Sequence, residues 1–146
     1  MKNRDWFVEI GGRRWGYQAS RVCLLTTGEP YLDRFILYFG GPCLRLHRFW
    51  RGDDDRAVHD HPWTFWTFPL TDYTEVYWAP RQHHMRKRIV MRGKWHRREA
   101  EFRHFVVGRA DGKKKPFWTI VVASGVKNTW GFWPEPHKFI YCRDWT

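Results

Sequence analysis

The chain has 146 residues, enough for one domain with a buried core, and its 26 Lys and Arg residues against 15 acids give a formal net charge of +11. It contains no apolar run of membrane-spanning length, and its polar start, MKNRDWF, is unlike a cleavable signal peptide. The 3 cysteines form no CxxC pair, which argues against a disulfide framework or a zinc knuckle and leads us to expect a cytoplasmic protein.

Short apolar or alternating stretches between Gly and Pro turns predict strands throughout the chain. In chain order they are WFVEI (6–10), RRWGYQ (13–18), RFILYF (34–39), CLRLHRFW (43–50), VHDHPWTFWTF (58–68), YTEVYW (73–78), MRKRIVM (85–91), HFVV (104–107), FWTIVVA (117–123), TWGFW (129–133) and KFIYC (138–142). Gly11-Gly12 predicts a tight hairpin, and 34–39 is the one stretch that could be helical instead.

The pattern as a whole predicts an all-β, antiparallel fold. About ten short strands without a clear helix are typical of a barrel or a sandwich. No linker, repeat or low-complexity tract divides the sequence, so we expect a single domain over residues 1–146, with residues 1–30 as an added hairpin.

The stretch VHDHPWTFW (58–66) is the strongest functional signal. On a strand, His59 and His61 project from the same face about 7 Å apart, a spacing that suits two ligands of one ion, while Asp60 points away. The proline that follows holds His61 in extended geometry. Trp63 and Phe65 continue the same face and would line a substrate pocket as a dry wall beside the ion. The alternative is that an isolated HxH is incidental.

A third ligand would have to come from a distant strand. His83 and His84 lie in the loop PRQHHM, His137 lies in the loop PEPHKF, and His96 follows a turn. His104 opens the apolar strand HFVV and is the best placed to face inward. We therefore take it as the third candidate.

These motifs resemble the cupin superfamily, whose first motif is a glycine followed after several residues by HxH. Here Gly52 is followed by DDDRAV and then His59-Asp60-His61, and Gly93 precedes a segment ending in His104 as in the second motif. More narrowly, LHRF…HDHPW…YTE…WGFW is similar to a group of small cupin-like proteins of phages and prophages, over residues 30–145. The resemblance implies a single-domain jelly-roll barrel, or double-stranded β-helix.

The chain departs from the usual cupin ligand set. Many cupins place a glutamate four or five residues after the second histidine, where this chain has Phe65 and Trp66, and Glu99 and Glu101 replace the usual proline and glycine. Glu75 lies across a hairpin turn from the metal strand, so we expect it to line the substrate pocket and not to bind the ion.

The resemblance then implies a three-histidine site like that of cysteine dioxygenase-like cupins, with His59, His61 and His104 as ligands. The cofactor would be one divalent metal ion, iron in the first place, with zinc, nickel or manganese as alternatives, because imidazole suits several of these ions. Water or substrate would take the open position.

Three further residues are candidates for catalysis. Arg45 and His47 share a face of the strand CLRLHRF. His47 is either a base or hydrogen-bond partner near the metal or a satisfied core histidine. If its face lines the barrel, Arg45 would clamp a carboxylate or phosphate in a bidentate manner; otherwise it lies outside. Tyr73 is a candidate proton donor that nothing in the sequence ranks above other tyrosines.

Three functions follow, in this order. The first is a metal-dependent oxygenase acting on a small anionic substrate. The second is a non-catalytic cupin that binds a nucleotide or signal molecule, and the third is nucleic-acid binding through a basic surface rich in its 11 tryptophans. The charge is spread along the chain, which favours a solvated face over a nucleic-acid interface. The sequence leaves the oligomeric state open, although the resemblance offers a homodimer formed through edge strands as one alternative. We expect no membrane partner.

Overall fold

The structure is a computed structural model that describes residues 3–24, 27–52 and 57–144. Asp53, Asp54, Asp55 and Arg56, which belong to the predicted first cupin motif, lie outside the described residues. In chain order the strands are β1 (Arg4–Ile10), β2 (Arg13–Cys23), β3 (Pro30–Phe39), β4 (Cys43–Phe49), β5 (Val58–His59), β6 (Phe65–Pro69), β7 (Tyr73–Ala79), β8 (His84–Val90), β9 (His96–Arg98), β10 (His104–Arg109), β11 (Phe117–Ala123), β12 (Gly131–Glu135) and β13 (Lys138–Tyr141).

Within the described ranges, the strands form two antiparallel sheets. One has seven strands in the order β1-β2-β3-β4-β11-β6-β9, and the other has six in the order β13-β12-β5-β10-β7-β8. The predicted all-β, antiparallel fold is confirmed. None of the described residues forms a helix, so none forms one long and apolar enough to cross a membrane.

Alternation along the strands explains where the core lies. Ile36, Cys43, Phe65 and Val121 pack together near one end of the interior, and a second cluster around Phe49 lies near the other. Successive side chains of a strand point to opposite faces, so the residues at the alternate positions of these strands face outward.

The amino-terminal segment pairs as the hairpin that Gly11-Gly12 indicated. Ile10 lies opposite Arg13, and both glycines have the positive φ angles that a two-residue turn of this kind requires. β2 then pairs with β3, so the hairpin extends the edge of the seven-stranded sheet.

Three local predictions differ from the structure. The stretch 34–39 lies within β3, so its helical alternative is wrong. The predicted strand 58–68 is divided into β5 and β6, which belong to different sheets. The turn ending at His96 leads into β9, a short strand that the sequence did not indicate.

Candidate metal centre

Three histidines converge between the sheets. His59 closes β5 and lies directly opposite His104 of β10, because the two strands pair at this position. His61 lies just beyond β5, where its backbone N–H donates to the carbonyl of Ala100 at 2.9 Å. His104 is buried and the other two are half-buried, so the cluster is shielded yet reachable.

The geometry of this cluster fits a metal ion. One ring nitrogen from each of the three histidines lies within 4.8 Å of the others, and Nε2 of His61 is 2.9 Å from Nε2 of His104. When two nitrogens bind the same ion at about 2.1 Å, with a right angle between the two bonds, they lie about 3.0 Å apart. Burial lowers the pKa of His59 to about 3 and lowers that of His61 well below its usual value, so both rings are in the neutral form that a ligand needs. These three histidines therefore fit a divalent metal ion.

Glu75 supports His104 from behind. Its carboxylate has no solvent exposure, and Oε2 lies 2.8 Å from Nδ1 of His104. Oε1 accepts hydrogen bonds from Arg88 Nε at 2.6 Å and Arg98 Nη2 at 2.9 Å. Burial raises the pKa of Glu75, but the His104 hydrogen bond and the charges around it outweigh burial and bring the pKa to about 2. An ionised carboxylate accepts a hydrogen bond from the protonated Nδ1 of His104. The other ring nitrogen, Nε2, is then unprotonated and can bind an ion.

The residue between the first two histidines points away from them, as the alternation predicted. Asp60 is buried, and its two oxygens accept hydrogen bonds from the backbone N–H of Gly131 at 2.8 Å and the indole N–H of Trp133 at 3.0 Å. These bonds tie the segment after β5 to β12. Asp60 is thus a positioning residue for His59 and His61.

Aromatic rings surround the histidines. The ring of His61 lies 4.6 Å from that of Phe65 and 5.0 Å from that of Trp63, measured between centroids. Phe132 lies 5.7 Å from His59, and Phe102 lies 5.2 Å from His104. Trp63 and Phe65 thus lie beside His61, and their role as the wall of a substrate pocket stays a prediction; Phe102 comes from a segment that the sequence did not connect to the site.

Arg45 and His47 face the interior of the barrel. The guanidinium carbon of Arg45 lies 4.4 Å from the ring centroid of Trp63, and its Nε is 3.1 Å from Sγ of Cys43. His47 is paired in register with Arg34 of β3, whose side chain is on the same face. Burial, followed by the charges of Arg45 and Arg34, lowers the pKa of His47 to about 3.

Arg34 had not been singled out from the sequence. The signal was present in its alternation with Leu32 and Ile36, two core residues, because a cation at the same phase must lie on the buried face. Tyr73, in contrast, lies in the core cluster at the other end, with its ring stacked 5.8 Å from that of Phe117. Burial raises the pKa of Tyr73, and its role in proton donation stays a prediction.

Known proteins resemble this chain in structure and not in sequence. No protein-family model matches it, and neither does any curated protein. A crystal structure of FeII HppE superposes with a TM-score of 0.54 at 11% identity over 72% of this chain and 56% of its own. An oxalate oxidase superposes with a TM-score of 0.52 at 16% identity over 77% and 60%.

A putative mannose-6-phosphate isomerase from Ralstonia eutropha superposes with a TM-score of 0.53 at 17% identity, over 68% of this chain and 89% of its own. The chain thus spans little more than half the length of HppE. At these identities the likeness concerns the fold alone. That fold is the antiparallel jelly roll that the resemblance implied.

Proposed function

We propose that this chain is a metal-binding cupin whose His59, His61 and His104 hold one divalent ion, and that it oxygenates a small anionic substrate. The observation that carries the proposal is the convergence of three imidazole nitrogens within 4.8 Å, from β5, the segment after it and β10. Iron is the ion we favour, with zinc, nickel or manganese as alternatives.

Several residues of the chain would position the ligands of such an ion or exclude water from it. Bound iron would supply the redox chemistry of oxygenation. Glu75 fixes the ring of His104, Asp60 fixes the segment that carries His61, and the aromatic rings exclude water from the surroundings. Three protein ligands leave coordination positions open for small molecules.

Elemental analysis of the untagged protein tests this proposal. We expect about one ion per chain after reloading, and its loss in His104→Ala, because two imidazoles bind such an ion far more weakly than three. His137→Ala is the matched control, since His137 is exposed and does not belong to the cluster. Near-stoichiometric iron would also support oxygenation and justify oxygen-uptake assays with small acids. No metal in any of the proteins after reloading would overturn the proposal.

A second candidate function is non-catalytic binding of a small ligand in the same interior. The specific observation is the pair of inward-facing arginines, Arg34 and Arg45, which would hold an anion whether or not a reaction follows. If the purified protein carries no small molecule and turns over a substrate, the oxygenase is favoured. If it retains a ligand and shows no turnover, the non-catalytic binding protein is favoured. Nucleic-acid binding, the third hypothesis, and the resemblance to phage proteins stay predictions.

We also propose a homodimer, formed through a sheet face and not through edge strands. The outer face of β2, β3 and β4 carries exposed large side chains that are in register with one another and uncharged: Trp15, Tyr17, Phe35, Leu37, Phe39, Leu44 and Leu46. A second copy of the chain that packs on this patch would remove its apolar side chains from water. Light scattering should give twice the chain mass, and Leu37→Glu should halve it; a monomeric parent protein would contradict the proposal.

The three cysteines of the chain, Cys23, Cys43 and Cys142, form no disulfide bond. Free thiols are what a reducing compartment maintains. This supports the proposal that the protein acts in the cytoplasm, and fractionation of cells that express it tests that location.

A further inference from the structure

We propose that Arg34, Arg45 and His47 form a binding site for a small oxyanion, a carboxylate or phosphate group, beside the three-histidine cluster. The inference rests on the proposed function in one respect, which is that the bound anion would be the charged end of the substrate. The anion site itself is argued from contacts that do not involve a metal.

The three side chains share one face of the seven-stranded sheet. Arg34 of β3 lies directly opposite His47 of β4, and Arg45 lies directly opposite Ile36. Ile36 is 3% exposed and belongs to the core. Residues directly opposite one another in a sheet project from the same face, so both arginines point into the interior between the sheets.

This group lies next to the candidate metal centre. The guanidinium of Arg45 covers the ring of Trp63 at 4.4 Å, and the ring of Trp63 lies 5.0 Å from that of His61. The arginines and the histidine cluster are therefore connected through the ring of Trp63.

Several buried nitrogen atoms in and beside the group have no protein partner, whereas Nε of Arg45 lies 3.1 Å from Sγ of Cys43. Nε of Arg34, Nε2 of His47 and Nε1 of Trp63 are buried without a hydrogen bond to any described residue. Across residues 3–24, 27–52 and 57–144, no carboxylate forms an ion pair with either Arg34 or Arg45. Buried cations that are left unpaired are costly, and proteins pair nearly all of them.

The electrostatics select an anion. Arg34 and Arg45 project from the same face of the sheet, and burial, followed by the charge of Arg45, lowers the pKa of Arg34. His47 is neutral, because its pKa is about 3, and can donate or accept one hydrogen bond. Two guanidinium groups offer planar pairs of N–H donors that match the oxygens of a carboxylate or phosphate. The buried indole N–H of Trp63 adds another donor.

A paired arginine elsewhere in this interior provides a comparison with the half-buried Arg34 and Arg45. Arg98 is 8% exposed and donates to Glu75 at 2.9 Å. Arg34 and Arg45 have no such carboxylate. The contrast indicates that their counter-ion is a ligand and not part of the described chain.

Titration calorimetry with inorganic phosphate and with succinate, at constant ionic strength, tests the site in chelator-treated and metal-loaded protein. We expect Arg34→Met and Arg45→Met each to weaken binding of the anion by about tenfold or more, because each removes a charged, bidentate donor. Arg92→Met removes the same charge from an exposed turn and should leave binding unchanged. Tighter binding of succinate assigns a carboxylate, and tighter binding of phosphate assigns a phosphate; either supports the site.

Thermal unfolding of the same variants without anion gives a second readout. Arg34 is half-buried and its buried Nε has no partner, so Arg34→Met should have a melting temperature equal to or above that of the parent. A lowered melting temperature together with unchanged anion affinity would overturn the inference and make Arg34 a structural residue.

Metal content, measured on the same samples, separates this inference from the proposed function. If the protein retains its metal and the two arginine variants bind the anion as tightly as the parent, the anion site is overturned. The three-histidine proposal then still stands. Anion binding that depends on the arginines in a protein that binds no metal supports the anion site and removes only its link to the metal.

Discussion

Nδ1 of the buried His104 lies 2.8 Å from Oε2 of Glu75, a carboxylate without solvent exposure. A carboxylate in this position fixes both the tautomer and the orientation of a metal-binding imidazole. Glu75 thus lies behind the histidine cluster, joined to it through His104, and its other oxygen is occupied by Arg88 and Arg98.

Replacing this carboxylate should weaken metal binding. We expect Glu75→Gln to lower the affinity for the ion by about 10- to 100-fold, because the ring of His104 loses its charged acceptor. Competition with a chromogenic chelator measures the affinity. Glu135→Gln, at an exposed position near the carboxyl terminus, is the matched control. Equal affinities in Glu75→Gln and the parent would show that the contact does not position the ligand.

Asp60 should affect both the stability and the metal site. In Asp60→Asn an amide group replaces one acceptor oxygen, so either the backbone N–H of Gly131 or the indole N–H of Trp133 loses its partner. We expect a loss of about 1–3 kcal/mol in the free energy of unfolding, from urea denaturation, and reduced metal occupancy. Asp144→Asn, at an exposed position, should change neither quantity. A destabilised Asp60→Asn with full occupancy would confine Asp60 to a structural role.

Gly52 should tolerate no side chain. A Cβ atom at this position would overlap the carbonyl group of Val107, so the backbone would have to move. Gly52→Ala should therefore lower the free energy of unfolding by about 1–3 kcal/mol. Gly41→Ala provides the comparison, because a Cβ atom there meets no atom within 4 Å. If both variants unfold at the same denaturant concentration, the close approach at Gly52 is not a constraint on stability.

The pair of Asp33 and Arg21 should make stability depend on pH. Asp33 is buried and accepts from Arg21 Nε at 2.6 Å and from the indole N–H of Trp50 at 2.9 Å. The hydrogen bond from Arg21 is the main cause that lowers the pKa of Asp33 in the folded protein. A lowered folded pKa gives stability that is present above the unfolded pKa of about 3.9 and is lost as the pH falls through the folded value.

The corresponding experiment compares Asp33→Asn with the parent protein across pH. At pH 7 the variant should unfold at a lower urea concentration, because Arg21 loses a charged partner. The gap between the two proteins should narrow as the pH falls below about 4, where the carboxyl of the unfolded parent becomes protonated. A gap that stays constant down to strongly acidic pH would show that the charge of Asp33 contributes nothing.

The sequence by itself determined the class of fold and the two nearest ligand candidates. Period-two alternation and Gly–Pro punctuation are local properties, so the strands and their inward faces could be predicted from stretches such as FWTIVVA (117–123). The spacing of His59 and His61 was visible for the same reason. Even the correct phase of Arg45 and His47 follows from alternation within one strand.

Only the tertiary structure decided which strands are neighbours, because pairing depends on contacts between residues far apart in sequence. The opposition of His59 and His104, the carboxylate of Glu75 behind His104, and the placement of Arg34 opposite His47 are all products of that pairing. The division of the stretch 58–68 between two sheets is another, since no local pattern records the point at which a chain leaves one sheet for the other. Alternation fixes the face on which a residue lies, and the sheet topology fixes what that face meets.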